Sequence, residues 1–284
     1  MDINHILLLI AVLNLLGDLY NIIRFHTQLP RWVLPANLVS LSVCGAAWLV
    51  VPNDSGMIAI SILVAYVLVI RLLFRSRSPA PTLPSAATVV LIAVNVCAYG
   101  VQVYQDAVKD PYAITLLGGL YSPLLELGEW WRLLSAQFLH SGLTHLSLNM
   151  LGLWFIGRPV EGFLGHARFI AAFLICGAGG MMIAWTLATY GPQPRIVLLL
   201  GASAGVLGLV GLQAAYSFKT FRHSGSLMAK AQLAAMTQIV VLQAIFDWMV
   251  PDVSSTAHLG GAVTGFILGM VFVRPRVATY RFAR

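Results

Sequence analysis

Three short stretches of this sequence hold polar side chains able to do chemistry inside otherwise apolar runs. The first is Gly201-Ala-Ser203-Ala-Gly205. Small residues on both sides of Ser203 allow close backbone approach and leave the hydroxyl exposed. At the start of a helix, such a serine also has free backbone N–H groups nearby, which favour developing negative charge. Taken alone, the pattern reads first as a packing face, with Gly201, Gly205 and Gly208 admitting a neighbouring helix. The second stretch is Ala257-His258-Leu-Gly-Gly261, followed by Gly265 and Gly269. Its four-residue glycine spacing makes one smooth helix face, and His258 lies one turn before that face begins. If the glycines pack on the helix of Ser203, a nucleophile meets an adjacent base. The third stretch carries His140, His145 and Asn149. His145 and Asn149 are four apart and share a helix face, where they either offer donors to one anion or hold two spans together by hydrogen bonds. Asp247 and Asp252 fall at the outer ends of their expected helices. The pattern therefore predicts a Ser203–His258 dyad rather than a triad.

The elements that must position these residues are membrane spans. Of 284 residues, 59% are hydrophobic and only 10% are charged, whereas a soluble domain carries roughly a quarter charged residues. Nine apolar runs, at 3–23, 32–51, 57–74, 86–103, 143–164, 169–190, 197–216, 231–250 and 254–273, each come close to the ~20 residues that cross a bilayer core. The expectation is an all-α polytopic membrane protein of about nine transmembrane helices. The run Ser76–Ser85 holds three prolines and three serines. It reads as an extended linker that separates a three-helix N-terminal extension (1–75) from a six-helix core (86–273), with a basic tail at 274–284.

The net charge of +7 reports orientation, not a nucleic-acid partner. With the N-terminus outside and alternating spans, 14 of the 17 Lys and Arg residues fall inside, leaving Lys109, Arg132 and Arg195 outside. Asp2, Asp54, Asp106, Asp110, Glu126, Glu129 and Asp252 gather on the outer side. This asymmetry follows the positive-inside rule and predicts N-outside, C-inside. Cys44, Cys97 and Cys176 sit in apolar runs at spacings that match no zinc pattern, so neither metal nor cofactor is expected. The first span lacks a basic n-region and a small-residue cleavage site and reads as a retained helix. Within it, Asn14 and Asp18 share one face, which predicts that this face points into the bundle with Arg71 as partner to Asp18. The connection from about Tyr104 to Gly142 interleaves leucines, Trp130 and Trp131 with glycine, proline and acids, a composition suited to the membrane interface.

Over about two thirds of its length the chain resembles the rhomboid intramembrane serine proteases. The landmarks run in order: Trp131-Arg132, then His140, His145 and Asn149, then Glu161, then Gly201-Ala-Ser203, then Ala257-His258 with Gly261 and Gly265. The resemblance implies a six-helix bundle in which a short serine-bearing helix starts in mid-membrane, reached by water from the outer side. It implies Ser203 as nucleophile and His258 as general base. The oxyanion would be held by the backbone N–H of Ser203 with His145 and Asn149. His140 and Arg132 would support the loop and cavity wall, and Glu161 would be structural. Two positions depart from the family pattern: Ala204 stands where glycine usually follows the serine, and Leu207 stands where an aromatic residue often packs near the histidine. The second departure implies that histidine orientation relies on something else and that activity is lower.

The expected function is hydrolysis of peptide bonds in or near transmembrane segments of other membrane proteins, in a multi-pass protein of a bacterial inner (plasma) membrane. A catalytically inactive relative that binds membrane clients would be expected to lack Ser203 or His258, and both are present. A transporter would show a repeated half with matching broken helices, and no internal repeat is visible.

Overall fold

In hydrocarbon each backbone N–H and C=O must find a partner within its own segment, so apolar runs of this length become helices. The structure, a computed structural model, describes residues 85–249 and 254–274. The chain divides into two units between Ile70 and Arg71, and every described residue lies in the second. The N-terminal spans with Asn14, Asp18 and Cys44, nearly all of the linker, Arg71, Asp252 and most of the tail lie outside the described residues.

The order of elements is α1 (Ala86–Tyr104), α2 (Pro111–Leu116), β1 (Leu120–Tyr121), α3 (Ser122–Glu126), α4 (Arg132–Ser135), α5 (Leu143–Gly152), α6 (Arg158–Leu164), α7 (His166–Tyr190), β2 (Leu198–Leu199), α8 (Ser203–Ser224), α9 (Leu227–Met249) and α10 (Ser255–Phe272). A π-helical turn, Leu153–Gly157, joins α5 to α6, so 143–164 is one continuous helical run, as its apolar length predicts. Helices α1, α7, α9 and α10 are long and apolar enough to cross a membrane. They make this an integral, polytopic helical membrane protein.

One boundary differs from expectation. The run 197–216 was expected to be helical throughout, yet the helix begins only at Ser203 and extends to Ser224. The preceding residues are extended because they pair with β1, with Leu120 opposite Leu199 and Tyr121 opposite Leu198. Ser122 doubles this link: its N–H donates to the Val197 carbonyl at 3.0 Å, and its Oγ accepts from Val197 N–H at 3.0 Å. The described residues are therefore mostly helical, with one small two-stranded sheet among them.

Helix α8 is the axis of the core. Residues from Ala204 through Ala215 are all buried, the signature of a helix packed on every side. Helix α10 lies against it at backbone contact. A Cβ on Gly261 would collide with the Ala204 carbonyl, and one on Gly265 with the Gly208 carbonyl. On another side, Phe169 and Phe173 of α7 are fully buried in a cluster with Val206, Leu209, Val210 and Leu212. Helix α9 is different: among its described residues only Ala229, Met236 and Asp247 are buried.

Candidate active site

Ser203 is the first residue of α8. Two bonds set where that helix starts. Gly201 N–H donates to the Ala136 carbonyl at 2.9 Å, and the first helical bond runs from Val206 N–H to the Ala202 carbonyl at 3.0 Å. The N–H groups of Ser203, Ala204 and Gly205 therefore have no acceptor within the helix. Gly201 has φ +116°, a conformation that L side chains rarely adopt. A Cβ there would stand 2.8 Å from His145 Nε2 and 3.6 Å from Ser203 Oγ. Glycine thus keeps open a space bordered by both groups.

His258 sits in the first turn of α10, whose N-cap is Ser254; the Ser254 hydroxyl accepts from Ala257 N–H at 3.3 Å. Its Nε2 lies 2.7 Å from Ser203 Oγ. The glycine face of α10 packs on α8, and this brings serine and histidine into hydrogen-bond contact. On the other side of the ring, Nδ1 lies 2.8 Å from Asp247 Oδ2. A carboxylate can only accept, so the proton between them sits on Nδ1, and Nε2 is left to accept from the serine hydroxyl. Asp247 is fully buried at its side chain and His258 is 8% exposed. Gln243 Nε2 donates to the other Asp247 oxygen at 2.7 Å.

The expectation that no carboxylate reaches the histidine is therefore corrected in its geometry. Asp247 was set aside because it lies at the outer end of its span. But α9 ends at Met249 and α10 begins at Ser255, so Asp247 and His258 each lie within one turn of the same end of the bundle, at matching depth.

His145 and Asn149 lie on α5, one turn apart, and Asn149 Nδ2 donates to the His145 carbonyl at 3.0 Å. His145 Nδ1 lies 3.1 Å from Ser141 Oγ, which leaves Nε2 on the side of Gly201 and Ser203. His140 is fully buried and stands edge-on to His145 with ring centroids 5.1 Å apart. Its backbone is clamped by Gln102 of α1, which accepts from His140 N–H at 2.8 Å and donates to its carbonyl at 3.1 Å.

The remaining residues hold the frame. Arg132 donates to the carbonyls of Thr115 at 2.6 Å and Gly119 at 2.9 Å and pairs with Glu129 at 2.7 Å. Trp131 is half exposed, with the Arg132 guanidinium 4.6 Å from its ring centre. Gly205 lets Phe173 approach, since a Cβ there would stand 2.7 Å from that ring. Glu161 is not part of the cluster. It lies 16 residues beyond His145, about 24 Å along a helical path. There it accepts from the N–H groups of Ala87 at 2.9 Å and Thr88 at 2.8 Å, tying down the start of α1.

The sequence from 127 to 275 matches the family model described as the Rhomboid domain. The chain belongs to the rhomboid family. This rhomboid is 25% identical to Rhomboid protease GluP of Bacillus subtilis over 68% of its own length and 36% of the relative's. It is 33% identical to RHOMBOID-like protein 5 of Arabidopsis thaliana over 56% of its length and 50% of the relative's. With Rhomboid protease AarA of Providencia stuartii the identity is 25% over 66% of this chain and 73% of that one. The matches with GluP and RHOMBOID-like protein 5 thus span a third to a half of those relatives.

The residue pattern placed Asp247 away from the histidine and did not single out Gln243 or Gln102. A signal was present for the first two. A carboxylate within an apolar run, four residues after an amide that can seat it, defaults to a functional candidate.

Proposed function

We propose that this rhomboid is an intramembrane serine endopeptidase acting on transmembrane segments of other membrane proteins. The observation that carries the reading is the 2.7 Å contact between Ser203 Oγ and His258 Nε2 at the open N-terminus of a helix buried in the bundle. In the first step the Ser203 oxygen bonds to the scissile carbonyl carbon while its proton passes to His258 Nε2. The carbonyl π electrons move onto oxygen, where the Ser203 N–H, His145 and Asn149 supply donors. Collapse breaks the C–N bond, and His258 returns its proton to the departing amine. Water entering from the outer side then attacks the acyl-enzyme, again with His258 as base, and frees Ser203. No cofactor takes part. The substrate helix must be locally unwound at the cut, because helical carbonyls are otherwise held in i→i−4 bonds.

In this reading residues 86–273 form the protease core, the first 75 residues add three membrane helices, and the protein lies in a bacterial inner membrane with its N-terminus outside. Ala204 is compatible with the chemistry, since its backbone already packs on Gly261.

The test is labelling of the purified protein in detergent with a fluorophosphonate probe, beside cleavage of a quenched fluorogenic peptide carrying one transmembrane segment. Wild type should label at Ser203 and cleave. Ser203→Ala and His258→Ala should each lose both signals while retaining a wild-type thermal midpoint. Substantial cleavage in either folded variant overturns the reading.

A further inference from the structure

Helix α9 is exposed or only half-buried along most of its length, yet it buries one carboxylate completely. Among its described residues, Asp247 is the buried group nearest the catalytic pair, and its side chain has no exposed surface. Burying an ionised carboxylate is costly unless it is paired and hydrogen-bonded. Here both oxygens are engaged: Oδ2 with His258 Nδ1 at 2.8 Å and Oδ1 with Gln243 Nε2 at 2.7 Å. The Gln243 nitrogen also stands 3.4 Å from His258 Nδ1, so amide, carboxylate and imidazole form one closed group. Leu207, one turn after Ser203 on α8, is a buried aliphatic side chain without hydrogen-bonding atoms.

We propose that Asp247, seated by Gln243, is the positioning residue for His258, so that the catalytic group works as a Ser203–His258–Asp247 triad. The inference rests on the protease reading above. Asp247 acts through the histidine and does not touch substrate. It holds the proton on Nδ1, which keeps the Nε2 lone pair directed at Ser203 Oγ. It also faces the imidazolium that forms when Nε2 takes the serine proton, at a site screened from water where a fixed negative charge acts strongly. No proton passes to the carboxylate, as in serine hydrolases that use the same constellation. With asparagine in its place, the amide NH₂ can donate to Nδ1, which puts the ring proton on Nε2 and turns the base into a donor facing the nucleophile.

The experiment uses the full chain in detergent, with Asp247→Asn, Asp247→Glu and Ser203→Ala read together. The readouts are kcat and KM on the fluorogenic transmembrane peptide, the rate of fluorophosphonate labelling at Ser203, and the thermal midpoint. Asp247→Asn should lower kcat on the order of 10²- to 10⁴-fold, with KM within about threefold of wild type. Its labelling should slow in parallel, because phosphonylation also requires the serine proton to leave. Asp247→Glu keeps the carboxylate and should recover part of the lost rate. If Asp247→Asn does not fold, Gln243→Leu is read in its place. It removes the seat of the carboxylate and should lower kcat by about tenfold with KM unchanged. Wild-type kcat in a folded Asp247→Asn protein overturns the inference and leaves the protease reading standing, provided Ser203→Ala is dead. So does a glutamate variant no better than asparagine at equal thermal stability. Cleavage retained by Ser203→Ala overturns both.

Discussion

His145 is the residue whose role depends most on one atom. Its Nδ1 is engaged by Ser141 and its Nε2 faces the space beside Gly201, 2.8 Å from where a side chain would begin. A donor aimed at that space contributes when negative charge develops there, and little before. His145→Ala and Asn149→Ala should therefore lower kcat more than they raise KM, with the loss of one donor worth up to ~10²–10³ in rate. Steady-state kinetics on the transmembrane peptide checks this. If both variants changed KM alone, they would be packing residues. Gly201→Ala is a harsher change, since it meets the His145 ring and requires a left-handed backbone. Fluorophosphonate labelling should fall in that variant even though no catalytic group has been removed.

At the scale of elements, the site exists because two helices touch backbone to backbone. Gly261 and Gly265 admit the carbonyls of Ala204 and Gly208, and this approach sets the reach of His258 to Ser203. Gly265→Ala places a methyl group onto a carbonyl that cannot move alone, so the helices must separate. Overpacking of this kind costs about 1–3 kcal/mol. The variant should show both a lower thermal midpoint and a loss of Ser203 labelling. Gly162→Ala is the matched control. It lies within helix α6 with nothing within 4 Å of the added methyl, and it should be neutral or stabilising by up to ~1 kcal/mol. Equal destabilisation of the two variants would show that the α8–α10 approach has no special weight. Lys219 fastens the opposite end of the same pair: its ammonium donates to the Gly269 and Val273 carbonyls at 3.2 and 2.8 Å and also to Met270. The Met270 and Val273 carbonyls lie at the C-terminal end of α10, where a helix runs out of partners for its last carbonyls, whereas that of Gly269 also accepts from Val273 N–H at 3.2 Å.

For the whole molecule, the orientation in the membrane is set by charge. Placing 14 of 17 basic residues inside predicts N-outside and C-inside. Reporter fusions after Arg77 and at the C-terminus should both report the inner side. An outer-side signal after Arg77 breaks the nine-span arrangement. Ser203, His258 and the other proposed catalytic residues all follow residue 85 in the sequence, so a truncation starting near Pro79 should keep labelling at Ser203 if it inserts. Labelling without cleavage in that truncation would assign substrate recruitment to the N-terminal extension.

Much of this was legible in the residues because it depends on short-range pattern. Apolar runs placed five of the six long helical stretches after the linker to within a few residues, since hydrocarbon leaves the backbone no alternative. The glycines at 261, 265 and 269 recur every four residues and announced a face on which another helix could close. The types and order of Ser203 and His258 pointed to a nucleophile and a base. Three features were decided only by the tertiary structure. The start of α8 at Ser203 comes from strand pairing between 120–121 and 198–199, residues far apart in sequence, and no local apolarity marks it. The clamp of Gln102 on His140 joins two helical segments, and neither side chain is distinctive alone. Asp247 reaches His258 because α9 and α10 end and begin at the same level. Sequence position measures distance along a helix, whereas contact depends on depth, and depth in antiparallel neighbours is counted from the end of the bundle where one stops and the next starts.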